Sequence, residues 1–476
     1  MRDRRVDALA IAIVGLLARF AVVVWARARF PAVEDGHYYD VLARRIAGGD
    51  GYTWLWPDGA VTYVAHYPVG YPALVAAGYA AFGAAPSVAM ATNAVLGAAS
   101  VYAMHRLVDG AGIARWRPAG AAVALALHPA LVPYTAALMT EGATAALLVI
   151  AASVATAARK AARGDLLLAT ALGSARATLA AWPWIAAAGG IVGLATLVRP
   201  QCLALAPVLG ALAVPPRASR RARLGAMAAL VAVAIACVVP WTIRNCERMN
   251  RCALVSVNGG WNLLIGATTR SGAWQPMSVP AECATVWDEA GKDDCFERAA
   301  WREIGRAPAA WMLRAPAKLA ATFDYFGAAP WYLHASNADA FGEVAKVRLG
   351  ALETAVCRLL LLGALVACGT LEGGRAGLRR ALACVGAIGA LTLHGWIGYV
   401  AIPVLVALMG WRAIARGPAV VPIAAAAIAA TAATHAVFFG AGRYGLVIAP
   451  FVAGLAFLAR GRAAVVAAGG TSGSAG

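Results

Sequence analysis

A chain of 476 residues that is 61% hydrophobic and 13% charged, with a mean hydropathy of +0.69, carries more apolar surface than a soluble fold of that length can bury. A net charge of +18 would point a soluble protein toward nucleic acid. Here the cations, nearly all Arg, stand in short clusters between apolar runs, the positive-inside pattern of a polytopic membrane protein, which excludes a nucleic-acid partner.

The first apolar run, about 8–28, is longer than a signal-peptide core, and no small-residue cleavage site follows it. It is expected to remain as the first span, with Arg2, Arg4 and Arg5 holding the N-terminus in the cytoplasm. Residues 29–87 then form a first outer segment, in which "YPALVAAGYAAFGAAP" is too short to cross and is expected at the interface. A span over 88–105 returns to Arg106, Arg115 and Arg117; 118–134 leads out, and 140–158 comes back to Arg159, Lys160 and Arg163. Residues 165–181 read as an amphipathic helix on the inner surface. A fifth span, 184–198, ends at Arg199-Pro200, a sixth returns to "PPRASRRAR", and a seventh, 224–240, opens into a second outer segment.

That segment, 241–347, is the one long polar region, and five further spans follow it, with basic loops at 375–380, 412–416 and 460–462. The expectation is an all-α polytopic membrane protein of about twelve spans, with both termini cytoplasmic and two large outer loops carrying interfacial helices. It divides into residues 1–240 with the outer loop 29–87, the outer segment 241–347, and the C-terminal spans and short cytoplasmic tail of 348–476. Five of the nine cysteines fall in predicted spans, where Cys acts as a small apolar residue. Cys246, Cys252, Cys283 and Cys295 all fall in the second outer segment, where an oxidising compartment favours two disulfides, with neighbours pairing as the simplest of three connectivities. The seven His are scattered and no CxxC occurs, so a divalent metal is not indicated.

Candidate chemistry gathers at the outer ends of the spans. Asp35, with Glu34 beside it, follows the first span in "FPAVEDGHYYD"; a carboxylate at the mouth of a membrane cavity can take a proton from an incoming hydroxyl. The same Asp would serve equally as a helix cap. Glu141 opens the fourth span on the same face, where a helix macrodipole also favours an acid. Arg199, Arg244 and Arg443 share that face and suit a lipid-linked phosphate, which Arg grips with two donors. His435 and Tyr444 sit with Arg443 in the turn before the last span. Arg19 lies well inside the first span, where a charge is costly and marks a candidate functional residue.

These stretches, in their order and spacing, resemble a family: the membrane glycosyltransferases of the GT-C type, close to the bacterial group related to protein O-mannosyltransferases and lipid A aminoarabinose transferases. The resemblance runs through the acidic pair with His37, Tyr38 and "LARRIAGGDGYTW", through "HYPVGYPAL" with His66 and Tyr67, and through "TEG", "LVRP", "PWTIRN", "SVNGGWNLLIG" with Asn258, and "FFGAGRYGLVIAP". It implies a GT-C fold in the inner membrane of a bacterium, with the active site outward. The donor would be a sugar on a polyprenyl phosphate, passed with inversion to a hydroxyl on a lipid, glycan or protein. Asp35 maps to the catalytic base, with Glu34 or Glu141 orienting the acceptor or tuning the base. The family's "GNNP"-like stretch is "GATTRSG" here, which puts any contact there in doubt. A lipid-linked glycan polymerase or ligase is the main rival. A secondary transporter would show internal repeats and short outer loops, which this chain does not.

Overall fold

The computed structural model describes residues 2–110, 113–168 and 173–458. The chain enters with α1 (Arg2–Ala26) and leaves the bundle into α2 (Asp35–Ala47), a short hairpin of β1 (Thr53–Leu55) and β2 (Val61–Tyr63), and α3 (Gly70–Phe82). The two strands run antiparallel, with Trp54 opposite Thr62. Then follow α4 (Pro86–Val108), α5 (Trp116–Ala126), α6 (Thr140–Leu168), α7 (Gly173–Val198), α8 (Ala206–Ala213) and α9 (Arg220–Met249). The second outer segment holds six short helices: α10 (Gly259–Thr268), α11 (Ala281–Ala284), α12 (Glu289–Arg306), α13 (Pro308–Leu313), α14 (Ala315–Phe323) and α15 (Ala328–Ser336). The chain re-enters the bundle as α16 (Glu343–Thr370), α17 (Ala376–Leu391), α18 (Gly395–Met409), α19 (Trp411–Arg416), α20 (Val420–Val437) and α21 (Ala449–Ala456).

Among the described residues, seven helices are long and apolar enough to cross a membrane: α1, α4, α6, α7, α9, α16 and α20. The count of twelve is not reproduced. The other expected spans hold shorter or broken helices, and proline explains several of the breaks. Pro129 and Pro133 stop the third expected span at Ala126. Pro200 converts the start of the sixth into a 3-10 turn, Pro200–Leu205, and the last is likewise a 3-10 turn, Gly442–Val447, followed by α21. Most of 165–181 belongs to the end of α6 and the start of α7 instead of a separate surface helix, and 169–172 lie outside the described residues. So do the basic loop at 460–462 and the C-terminal tail. The seventh span does not end at 240: α9 runs on through Pro240 to Met249.

The bundle packs by close approach of small residues, as helices in lipid must when no hydrophobic drive separates them from the solvent. A Cβ at Gly189 of α7 would come within 2.8 Å of Val233 on α9, and one at Gly193 within 2.6 Å of Cys237. Arg19 is explained by the same packing: its guanidinium, 2% exposed, donates to the carbonyls of Leu125 and Ala126 at the end of α5 and of Gly15 one turn back. It satisfies carbonyls that a helix end leaves without partners. The second outer segment has an apolar core of its own, where Leu263 and Leu264 of α10 meet Phe296, Ala300 and Ile304 of α12. Within this segment Cys246 is bonded to Cys252 and Cys283 to Cys295.

Candidate active site

Four separate stretches of chain meet at one end of the bundle, around a cavity of about 730 Å³. The first delivers Asp35. The chain enters α2 through Glu34 at φ 52°, a conformation that L-residues other than glycine rarely adopt and that marks a functional hypothesis when it persists. No side chain caps α2 there, so Asp35 does not spend its carboxylate on its own helix. Instead Oδ1 accepts from the Tyr67 hydroxyl at 3.1 Å and Oδ2 pairs with Arg443 Nη1 at 2.8 Å.

The second stretch is the start of α6. Glu141 is fully buried, which costs heavily unless both oxygens are satisfied. They are: Oε2 accepts from Tyr134 at 2.7 Å, while Oε1 pairs with Arg199 Nη2 and lies 3.6 Å from Arg443 Nε. The third stretch, the end of α7, supplies Arg199, whose Nε donates to Thr140 Oγ1 at 3.0 Å. The fourth, the 3-10 turn after α20, supplies Arg443 and Tyr444. Both guanidiniums lie against the Tyr444 ring, Arg199 at 4.9 Å and Arg443 at 5.2 Å, and His435 stacks on that ring at 4.2 Å. His435 Nδ1 faces the Phe439 carbonyl at 2.8 Å, so that nitrogen carries the proton, and Nε2 is a buried acceptor without a partner among the described residues. The result is a chain of alternating charge, Asp35–Arg443–Glu141–Arg199.

The environment sets the protonation states that the geometry needs. Burial, reinforced by the Asp35 charge, pushes the Tyr67 phenol up, so it stays a donor to that carboxylate. Burial works against the Arg443 charge, but Tyr444, Asp35 and Glu141 outweigh it and hold the guanidinium well above its usual range. Burial lowers His66, against the pull of Asp35, which favours a neutral ring. That ring stands edge-on to Tyr67 at 4.9 Å and to Trp261 at 5.4 Å. The backbone there is pinned from the second outer segment: Glu289 Oε2 accepts from the amides of Ala65 at 2.7 Å and His66 at 3.0 Å.

Of the residues singled out in the sequence, Glu34, Asp35, Tyr38, His66, Tyr67, Glu141, Arg199, Asn258, His435, Arg443 and Tyr444 line this cavity together. Two do not. Arg244 turns away to the carbonyls of Tyr52 and Val64, at 2.8 and 2.9 Å, and lies over Trp241, so it braces the first outer segment. A guanidinium one helical turn from the membrane is as useful for tying down loop carbonyls as for holding phosphate, and residue type alone does not separate the two. His37 is exposed on α2 and does not line this cavity. Sequence reading missed Tyr134, Thr140 and Glu289, which hold the acids, the arginine and the first loop in place. Thr140 stands beside Glu141, and Tyr134 lies in the 3-10 turn that precedes α6, but no spacing rule points to Glu289. Among the described residues no group of three or more His, Cys, Asp or Glu is placed to hold a metal ion.

No protein-family model matches the chain, and no curated protein is significantly similar to it. Among solved structures it is similar to the archaeal oligosaccharyltransferase AglB from Archaeoglobus fulgidus in complex with an inhibitory peptide and a dolichol-phosphate, at 15% identity and a TM-score of 0.44, over 95% of this chain and 50% of that one. An Archaeoglobus fulgidus oligosaccharyltransferase in its apo form gives 14% and 0.49, over 95% and 50%. The apo structure of ArnT from Cupriavidus metallidurans gives 17% and 0.39, over 94% and 77%. The chain thus spans about half the length of the oligosaccharyltransferase structures it is similar to.

Proposed function

We propose that this protein is an inverting membrane glycosyltransferase of GT-C architecture. It takes a sugar from a polyprenyl phosphate and passes it to a hydroxyl of a lipid, glycan or protein at the outer face of the inner membrane. The observation that carries the reading is the placement of Asp35. Its carboxylate is 30% exposed at a cavity beside the membrane end of α1, fixed by Tyr67 and Arg443 and not used as a helix cap. An isoprenoid tail stays in the bilayer, so the anomeric carbon must react close to the headgroup plane, and a base that follows the end of α1 by nine residues suits that position.

In the proposed reaction Asp35 takes the proton of the acceptor hydroxyl as that oxygen attacks the anomeric carbon. The bond from that carbon to the phosphate oxygen breaks, and the polyprenyl phosphate leaves with the electron pair. Arg443 and Arg199 are each already paired with an acid, so among the described residues the site holds no spare cation for a phosphate. Donor binding must therefore exchange partners. The phosphate takes Arg443, and Asp35 is released to act as base, retaining only its bond from Tyr67. This couples donor arrival to the availability of the base.

Purified protein given radiolabelled polyprenyl-phosphate sugars should release polyprenyl phosphate and label a hydroxyl acceptor. Turnover only with pyrophosphate-linked glycans would favour a polymerase or ligase instead, and no turnover with either class in folded protein would end the proposal.

A further inference from the structure

Helix α15 lines no part of the Asp35 cavity, yet it packs against three of the stretches that build it. It lies on the 3-10 turn before α6, on the 3-10 turn that carries Arg443, and on the connection from α1 to α2. Its hold on that connection is specific. Ser336 Oγ donates to the Pro31 carbonyl at 2.6 Å, and Asn337 Nδ2, just past the helix, donates to that of Arg29 at 2.9 Å. Nearer the site stands Tyr332, 1% exposed, whose hydroxyl accepts from two backbone amides, Val33 at 3.4 Å and Leu138 at 3.3 Å. Val33 is two residues from Asp35 and Leu138 is three from Glu141. One oxygen thus joins the backbones that carry the two acids. The approach is close: a Cβ at Gly36 would come within 2.8 Å of that hydroxyl and 2.9 Å of the Leu138 carbonyl.

These ties account for the backbone of Glu34. A residue at φ 52° persists only where its surroundings over-determine it, and here the chain is anchored at Arg29, Pro31 and Val33 on one side and by α2 on the other. The same anchoring sets how far the Asp35 carboxylate stands from that of Glu141. Arg443 bridges this gap, 2.8 Å from the first and 3.6 Å from the second. We infer that Tyr332 is a positioning residue for the proposed base: its hydroxyl holds the Asp35 and Glu141 backbones at the separation that Arg443 spans. Its role in turnover rests on the proposed glycosyl transfer; the tie itself does not. Tyr332→Phe keeps the ring and removes the acceptor, which strands two amides, one of them at the fully buried Leu138. An unpaired buried amide is costly, so both turns must shift to find other partners. A displacement of about 1 Å at reacting groups costs on the order of 10²-fold in rate.

The test reads amide hydrogen exchange and turnover on the full-length protein in detergent. In Tyr332→Phe, exchange should quicken at Val33 and Leu138 and stay as in the wild type over the β1–β2 hairpin. Turnover, kcat, should fall about 10–100-fold, with the donor KM changed by less than about threefold. Added to Asp35→Asn, the same substitution should cost less than about twofold more, because it acts through a base that is already gone. A residue that merely supported the fold would cost as much in either background. Ser336→Ala loosens the same connection at a half-buried position and decides the matter if Tyr332→Phe does not fold: exchange at Val33 should quicken and kcat should fall, again without further loss beside Asp35→Asn. Unchanged exchange, wild-type kcat, or an equal loss in the Asp35→Asn background would overturn the assignment. Absence of any sugar transfer by the wild type would instead end the glycosyl reading and the role of Tyr332 in turnover with it, while the exchange result still decides the tie.

Discussion

Asp35 carries two demands that oppose each other. Paired with Arg443 it is held in place; as the proposed base it must be free to take a proton. The partner exchange resolves this, and it separates the roles of three side chains. Asp35→Asn keeps the shape and the Tyr67 contact but removes the base, so turnover should fall by about 10²–10⁴ with donor binding little changed. Arg443→Ala should weaken donor binding, and in single-turnover measurements at saturating donor it should cost less than Asp35→Asn does. Near wild-type turnover in folded Asp35→Asn would move the base to Glu34 or Glu141. Glu141 answers differently, because it is fully buried between Tyr134 and Arg199. Glu141→Gln leaves a buried guanidinium without its anion and should lower stability by about 3–5 kcal/mol, measured as a loss in melting temperature. At this scale the sequence marked the acids and most of the arginines, because charges beside a membrane are rare. It could not tell Arg443, which meets Asp35, from Arg244, which meets carbonyls, since both stand beside an expected span.

Elements of the second outer segment reach into the site indirectly, and one of them responds to pH. Lys318 of α14 is fully buried, with its ammonium donating to the Val437 carbonyl at the end of α20 and lying 5.3 Å from the Trp311 ring. Burial, helped by Arg314, lowers its pKa from 10.5 to about 8. The folded protein therefore loses this proton earlier than the unfolded chain. Below about pH 8 both states are protonated and folding bears the full cost of burying the charge; between about pH 8 and 10.5 the unfolded state binds more protons, so stability rises with pH across that window. The rise should amount to about 3 kcal/mol at most, and melting curves of Lys318→Met should lack it. The disulfides act on the same segment. Cys283→Ser with Cys295→Ser should destabilise it by roughly 2–3 kcal/mol, seen as earlier proteolysis of 281–306 while the bundle stays intact. The four paired cysteines were visible in the sequence through their shared polar segment, but the tie from Glu289 to the Ala65 and His66 amides was not, because it joins residues more than two hundred positions apart.

For the molecule as a whole, the direction of insertion decides which solution the Asp35 cavity meets. Asp58 lies in the exposed turn of the hairpin and Ser219 caps α9 at the other end of the bundle. With native thiols masked, Asp58→Cys should react with a membrane-impermeant reagent in intact cells and Ser219→Cys should not; labelling at Ser219→Cys alone would reverse the orientation and with it the compartment proposed for the reaction. What the sequence by itself determined is the class of the protein and the face on which its chemistry gathers. Apolar runs and arginine clusters are local, additive signals, and a bilayer acts on each of them directly. Breaks in those runs were harder to read, and the expectation of twelve spans counted a third segment, 118–134, and a sixth, leading to "PPRASRRAR", that proline cuts short. Only the tertiary structure decided that Asp35, Glu141, Arg199 and Arg443 form one chain of alternating charge and that Arg19 ties down the end of α5. Each of these depends on which helices stand side by side, and that is set by close packing between residues far apart in the chain.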